Sequence, residues 1–359
     1  MASLFDPIQL GAIAATNRIL MAPLTRGRSE GVHVPITALK AEYYAQRAEA
    51  GLIIAEATGI SQEGSGWPAA PGIWSAEQVE AWKPVTQAVH DKGGRIILQL
   101  WHMGRLVHPD FLGGAQPVSS SATTAPGAAH TAEGKKDYVE ARALARDEIP
   151  HVVGDYVNAT RNAVKAGFDG VQIHSANGYL IDQFLRDNSN FRDDDYGGAI
   201  PNRIRLLSEV TSAVAAEIGA DRTSVRLSPN GETQGADDSD PVALFTAAAA
   251  ELQRIGIAFL ELREQKPFGS FGTSDVPRVS PDIRRVFTNP LVLNQEYVRE
   301  SAIADVESGL ADAISFGRPF ISNPDLVNRL RSNRELAPDN FKTWYSSGPE
   351  GYIDYPVAA

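Results

Sequence analysis

Phe168-Asp-Gly-Val-Gln-Ile173, followed at once by His174-Ser-Ala-Asn-Gly-Tyr179, decides the fold. The first six residues are a short apolar run of the kind that forms a buried strand, and the next six carry imidazole, carboxamide and phenol groups just past its end. A strand sends alternate side chains to opposite faces, so a turn beyond it can bring His174, Asn177 and Tyr179 to one rim. Buried parallel strands ending in hydrogen-bonding side chains are how a (β/α)8 barrel builds a site at its C-terminal face.

Working outward, seven more short apolar runs recur: Ile19–Met21, Leu52–Ala55, Arg95–Leu100, Ser224–Leu227, Ile257–Leu260, Leu291–Leu293 and Ala313–Phe316. Between them the apolar residues take helical spacing, as in Val79, Trp82, Val85 and Val89, or Val152, Tyr156, Ala159 and Ala163, or Ile204, Leu207, Val210 and Val214. Alternation of strand and helix along the whole chain predicts a parallel sheet covered by helices, and eight repeats close into a TIM barrel. Residues 1–359 therefore read as one domain. The stretch before Asn17 alternates weakly through Ile8, Leu10 and Gly11 and predicts a small hairpin on the barrel floor. Residues 102–146, rich in Gly, Pro, Ser and Ala, are too long for a simple connection after strand three and read as a lid over the rim, or as a plain surface insertion.

A net charge of −11 argues against nucleic acid or an anionic membrane surface as partner, so small molecules are expected. With no cysteine, a disulfide, a thiolate-held metal and a catalytic thiol are all excluded. Redox chemistry would need a cofactor held without thiolates. Met1–Pro7 lacks a basic region followed by an apolar core, and no run reaches the ~20 apolar residues of a membrane helix, so cytoplasmic residence is the expectation. The acidic run Asp193–Asp195 reads as a solvated turn before a helix, and no metal is assigned. Asn158-Ala-Thr160 is a formal glycosylation sequon but sits in a helical pattern.

Met21-Ala-Pro-Leu-Thr-Arg26, Glu56-Ala-Thr-Gly-Ile60, Gln99, His174-x-x-Asn-Gly-Tyr179, Tyr196-Gly-Gly198, Asn202-Arg203, Arg226-Leu-Ser-Pro229 and Phe316-Gly-Arg-Pro319 occur in this order. Taken together, from about Leu4 to Tyr355, the chain resembles the old yellow enzyme family, in its N-ethylmaleimide reductase-like branch. The resemblance implies a tightly but non-covalently bound FMN, reduced by NADPH or NADH. It also implies hydride transfer from flavin N5 to the β-carbon of an alkene activated by a carbonyl, nitro or imide group: enones, enals, maleimides and nitroalkenes.

The residues carry that chemistry in physical terms. Arg226 at a strand end is a permanent cation suited to charge on a reduced flavin's N1/O2 edge, or else it neutralises a structural carboxylate. Gln99 both donates and accepts, as a pyrimidine edge requires, or is a satisfied core amide. Gly317-Arg318 after the last strand, with a helix expected near Asn323–Asp325, suits a phosphate; the Asn294-Gln295-Glu296 turn after strand seven departs from the Gly-containing turn of many relatives. By the resemblance, Pro23, Leu24 and Thr25 meet the flavin's O4/N5 edge, with Thr25 tuning it, and Ala57 lets the ring approach.

His174 and Asn177 resemble the donor pair that holds the substrate's activating oxygen, acting as an oxyanion hole. Tyr179 is implied as the acid for the α-carbon, and a phenol with an ordinary pKa of about 10 is protonated at neutral pH. Trp67, Trp101 and Tyr345 match substrate-pocket aromatics, or fill the core. The competing reading is a cofactor-free barrel lyase or isomerase that holds a substrate phosphate on Arg318 and moves protons with His174 and Tyr179.

Overall fold

A computed structural model describes residues 2–269 and 272–357. Eight parallel strands close into a barrel: β1 (Ile19–Met21), β2 (Leu52–Gly59), β3 (Ile96–Trp101), β4 (Gly170–His174), β5 (Thr223–Leu227), β6 (Phe259–Arg263), β7 (Leu291–Asn294) and β8 (Ala313–Phe316). Each strand pairs with its neighbour in sequence, and β8 closes on β1. The eight expected runs are the eight barrel strands. The sixth lies two residues later than its apolar signature, because Glu261 and Arg263 point polar groups into the barrel and hide its end from a hydrophobicity reading.

Helices cover the barrel as the periodicity predicts. Ala76–Asp91 starts at Ser75, whose Oγ accepts the Gln78 N–H at 3.2 Å, and buries Val79, Trp82, Val85 and Val89. Ile149–Lys165 buries Val152, Tyr156, Ala159 and Ala163; Arg205–Ile218 buries Leu207, Val210 and Val214, with Ile204 just outside its first turn.

The floor is built as expected. Ile8–Leu10 and Ile13–Ala15 form an antiparallel hairpin whose Leu10, Ile13 and Ala15 pack on Leu20, Leu52, Ile54, Ile97, Phe259, Val292 and Ala313 at the N-terminal half of the barrel. Gly11 at its turn has φ +60°, and a Cβ there would lie 2.1 Å from the Asp221 carbonyl oxygen, so only glycine allows the approach. The Ala12 N–H bonds that same carbonyl at 2.8 Å.

The insertion is more ordered than its composition suggests. It holds two short 3-10 turns, a strand pair (Val118–Ser119 with Arg142–Ala143) and a hairpin, Ala128–Thr131 with Gly134–Asp137. Asp194 is held by Arg192 and accepts the Tyr196 N–H, as a turn residue does. After β8 the chain turns at once into a short helix, Arg318–Ser322, and the helix expected near Asn323–Asp325 follows at Leu326–Arg331. The helical turn directly after Gly317 begins five residues before the helix that was expected there.

Candidate active site

At the C-terminal mouth of the barrel lies a cavity of about 1000 Å³, within the range of small-molecule and cofactor sites. Every candidate residue lines it: Pro23, Leu24, Thr25, Ala57, Trp67, Gln99, Trp101, His174, Asn177, Tyr179, Arg226, Gly317, Arg318 and Tyr345. They arrive from six of the eight strand ends and from the C-terminal segment. Local backbone chemistry shapes the central turn. Asn177 has φ +61°, a conformation Asn tolerates better than most residues, and Gly178 follows at φ +76°, where a Cβ would meet the Thr233 carbonyl oxygen at 2.5 Å.

The strand register stacks polar side chains beneath the cavity. Gln99 stands opposite Gln172, Arg226 opposite Glu261, and Asn294 opposite Ser315. The Gln99 amide donates to Gln172 Oε1 at 2.8 Å, and Gln172 donates to Glu261 Oε2 at 2.9 Å. Arg226 donates to both Glu261 oxygens at 3.2 Å and to Asn294 Oδ1 at 2.8 Å. Arg226 therefore does neutralise a buried carboxylate, the alternative reading of it. Gln99 is likewise tied into the core through its nitrogen. Both still line the cavity, and Arg226 Nε is buried without a partner among the described residues. A guanidinium whose charge is already balanced can face a ligand without the cost of a lone buried cation.

Three aromatic groups frame the reacting volume. Trp101 lies 6.5 Å from His174 with rings nearly parallel, and Tyr179 stands edge-on to both, 5.0 and 4.9 Å away. Burial, with Arg226 and Arg263 nearby, holds the His174 imidazole well below its ordinary pKa, so it is neutral at neutral pH. Its Nδ1 is buried without a partner among the described residues. Burial pushes the Tyr179 phenol above its ordinary value, while a hydrogen bond from Gln234 works the other way. The outer edge is aromatic as well: Trp67 lies 5.6 Å from Tyr345 and 5.0 Å from His130.

Several lining residues escaped the sequence reading. Arg263 ends β6 and donates to Asn177 Oδ1 at 2.9 Å and Gln295 Oε1 at 2.8 Å. Its one signal was the Glu261-x-Arg263 spacing, which puts both on one strand face. His130 and Tyr138 come from the insertion, where no periodicity marks them. In the turn after β7, Gln295 and Glu296 have φ +94° and +52°, and Glu296 Oε1 accepts from Arg318 at 2.6 Å. The expected anion-binding arginine is thus ion-paired within the turn that departs from the glycine pattern. Among the described residues, no group of His, Asp or Glu could hold a metal ion.

A closed barrel whose polar mouth balances the buried Arg226 against Glu261 and gathers polar side chains around the buried His174 imidazole defines a barrel enzyme with a small-molecule site at the strand ends. The chain belongs to the NADH:flavin oxidoreductase / NADH oxidase family, whose model matches residues 3–337. It is similar to the solved structure of an old yellow enzyme homologue from Zymomonas mobilis, 62% identical with a TM-score of 0.98 over 99% of this chain and 100% of that one. It is also similar to morphinone reductase in complex with tetrahydroNAD, 42% identical with a TM-score of 0.94 over 100% of this chain and 98% of that one. Among curated relatives, 12-oxophytodienoate reductase 7 of Oryza sativa subsp. japonica is 44% identical over 99% of this chain and 94% of its own. The chain is an FMN-dependent, nicotinamide-linked ene-reductase, and the lyase or isomerase reading is not favoured. No helix among the described residues is long and apolar enough to cross a membrane.

Proposed function

We propose that the cavity holds FMN against its inner wall and an electron-poor alkene between that cofactor and Tyr179, taking enones, enals, maleimides and nitroalkenes. The observation that carries this reading is the convergence of His174, Asn177, Tyr179, Gln99 and Arg226 on one cavity at the strand ends. The residues fit the cofactor: the buried Arg226 Nε lacks a partner among the described residues, Ala57 and Gly317 keep the wall thin, and Pro23–Thr25 border the same space. When bound, FMN accepts hydride from NADPH or NADH and delivers it to the alkene β-carbon. Gln99 and Thr25 would meet the ring's polar edges, Arg226 the edge that becomes anionic, and Gly317-Arg318 the phosphate.

The protein's own steps are these. Neutral His174 and the Asn177 amide hold the activating oxygen and stabilise the charge that gathers there, as donors in a dry site do. Tyr179 gives its proton to the α-carbon from the opposite face, and its raised pKa keeps it protonated until a strongly basic centre forms. Trp101 fixes the planes of His174 and Tyr179; Trp67 and Tyr345 close the outer edge.

Residues 1–359 act in this reading as one domain, with 102–146 as a partial lid, supported by His130 and Tyr138 on the cavity wall. Small molecules are its partners rather than nucleic acid or membrane, and cytoplasmic residence belongs to the same proposal. The test is direct. The purified protein is expected to be yellow, to release FMN on denaturation, to bleach anaerobically with NADPH or NADH, and to regain colour with an enone, a maleimide or a nitroalkene. A colourless protein that added FMN does not activate would overturn the proposal.

A further inference from the structure

We propose that Arg263 is a positioning residue for alkene reduction: it sets which end of the Asn177 carboxamide faces the substrate. This rests on reading Asn177 as a donor to the activating oxygen. A carboxamide in that place has a weakness an imidazolium lacks. Its two ends are nearly isosteric, one donates and the other accepts, and a half-turn about the terminal bond exchanges them. With the oxygen inward, Asn177 would repel the negative charge it is there to receive.

The structure removes that ambiguity. The Asn177 main chain is pinned on both sides, its N–H donating to Ser228 Oγ at 2.8 Å and its carbonyl accepting from Gln234 Nε2 at 2.7 Å. The turn is fixed further by φ +61°. What remains to be chosen is the amide orientation. Arg263, buried to 2% exposure at the end of β6, donates through Nη1 to Asn177 Oδ1 at 2.9 Å and through Nε to Gln295 Oε1 at 2.8 Å. A guanidinium only donates, so it accepts no amide N–H and demands oxygen from whatever faces it. Oδ1 is thereby held toward Arg263, and Nδ2, on the other side of the same carbon, is turned away from it. Among the described residues Asn177 makes no side-chain hydrogen bond through that nitrogen, and its side chain lines the cavity. Gln295 braces the guanidinium from the second side.

The test is a double-mutant cycle on the FMN-loaded enzyme with the flavin reduced by dithionite, so that nicotinamide binding does not enter. The rate of reoxidation by 2-cyclohexenone reports the donor pair; reoxidation by dioxygen, which has no activating oxygen to hold, reports the flavin alone. Arg263→Met is expected to slow the enone reaction roughly 10- to 100-fold, the range of a hydrogen bond to a charged group, with dioxygen reoxidation and FMN content retained. In an Asn177→Ala background the same substitution is expected to cost little more, since no amide is left to orient. Arg263→Lys keeps a donor-only cation and should restore part of the rate. Equal losses from Arg263→Met in both backgrounds would overturn the proposal, as would a lysine variant that keeps its FMN but reacts no faster than the methionine one. If Asn177→Ala alone leaves the enone rate unchanged, the donor reading of Asn177 itself fails, an outcome distinct from the first two.

Discussion

The two ends of one barrel are built from the same eight strands and could hardly differ more in chemistry. At the floor, Leu20, Leu52, Ile54, Ile97, Phe259 and Val292 meet the amino-terminal hairpin in a wholly apolar layer. One or two pleats further along, the same strands present Gln99, Gln172, Arg226, Glu261, Asn294 and Ser315, each hydrogen-bonded to a partner across the sheet. The floor is fixed by area removed from water, the mouth by donors matched to acceptors. The floor can therefore be altered with a loss of stability alone, whereas the mouth cannot be altered without changing what it binds.

The sharpest way to break the comparison is at Tyr179. Tyr179→Phe removes one oxygen from the mouth and should slow alkene reduction about 10²- to 10⁴-fold, the usual worth of a positioned acid. Flavin reduction by nicotinamide, measured by anaerobic stopped flow, should stay close to the parent rate, because no proton is needed there.

Next comes the charged pair. Arg226→Met strands the buried Glu261 carboxylate and should cost about 3–5 kcal/mol in urea unfolding. The double variant Arg226→Met/Glu261→Gln should recover most of that stability, yet keep a lowered flavin reduction potential. Recovery of both would mean that Arg226 serves only its carboxylate. At the floor, Leu52→Ala should cost about 2–5 kcal/mol of stability and leave the flavin potential and the alkene rate per bound FMN unchanged.

Acid sharpens the contrast further. His102 is buried, and desolvation lowers its pKa to about 4; burial lowers His174 as well. Both are neutral in the folded state at pH values where the unfolded chain has begun to take up protons. Stability is therefore full above about pH 6.5 and falls as the pH drops from there toward 4, with His102 contributing on the order of 3 kcal/mol. His102→Gln should flatten the slope of unfolding free energy against pH in that window. The alkene half-reaction should show no step near the ordinary histidine pKa, since His174 does not titrate there. The smallest effect is expected at the outer edge, where His130→Ala should change KM for bulky alkenes less than tenfold.

How far the sequence could be read follows the same division. The floor and the barrel were legible because burial leaves a period in the chain, and each β-rich apolar run became a strand. The mouth was legible only where a motif concentrated it, as in His174, Asn177 and Tyr179. Arg263 and Glu261 were missed because their meaning lies in partners on β5 and in the turns after β4 and β7, more than 30 residues away in sequence. Their polarity also cut short the strand that carries them. His130 lies on a hairpin with no apolar pattern and Tyr138 just past its end, so nothing local marked them as cavity wall. The ion pair between Arg318 and Glu296 depends on two left-handed residues in a row, which no composition signals.

The central claim is that the alkene lies between the flavin and Tyr179, so that its two new hydrogens arrive from opposite faces. Reduction of 2-methylmaleimide in deuterated water, and separately with nicotinamide deuterated at C4, followed by NMR of the succinimide, reads this directly. The account predicts deuterium from the nicotinamide on one ring face and deuterium from solvent on the other, with the solvent-derived label slowed by Tyr179→Phe. Both labels on the same face would contradict it.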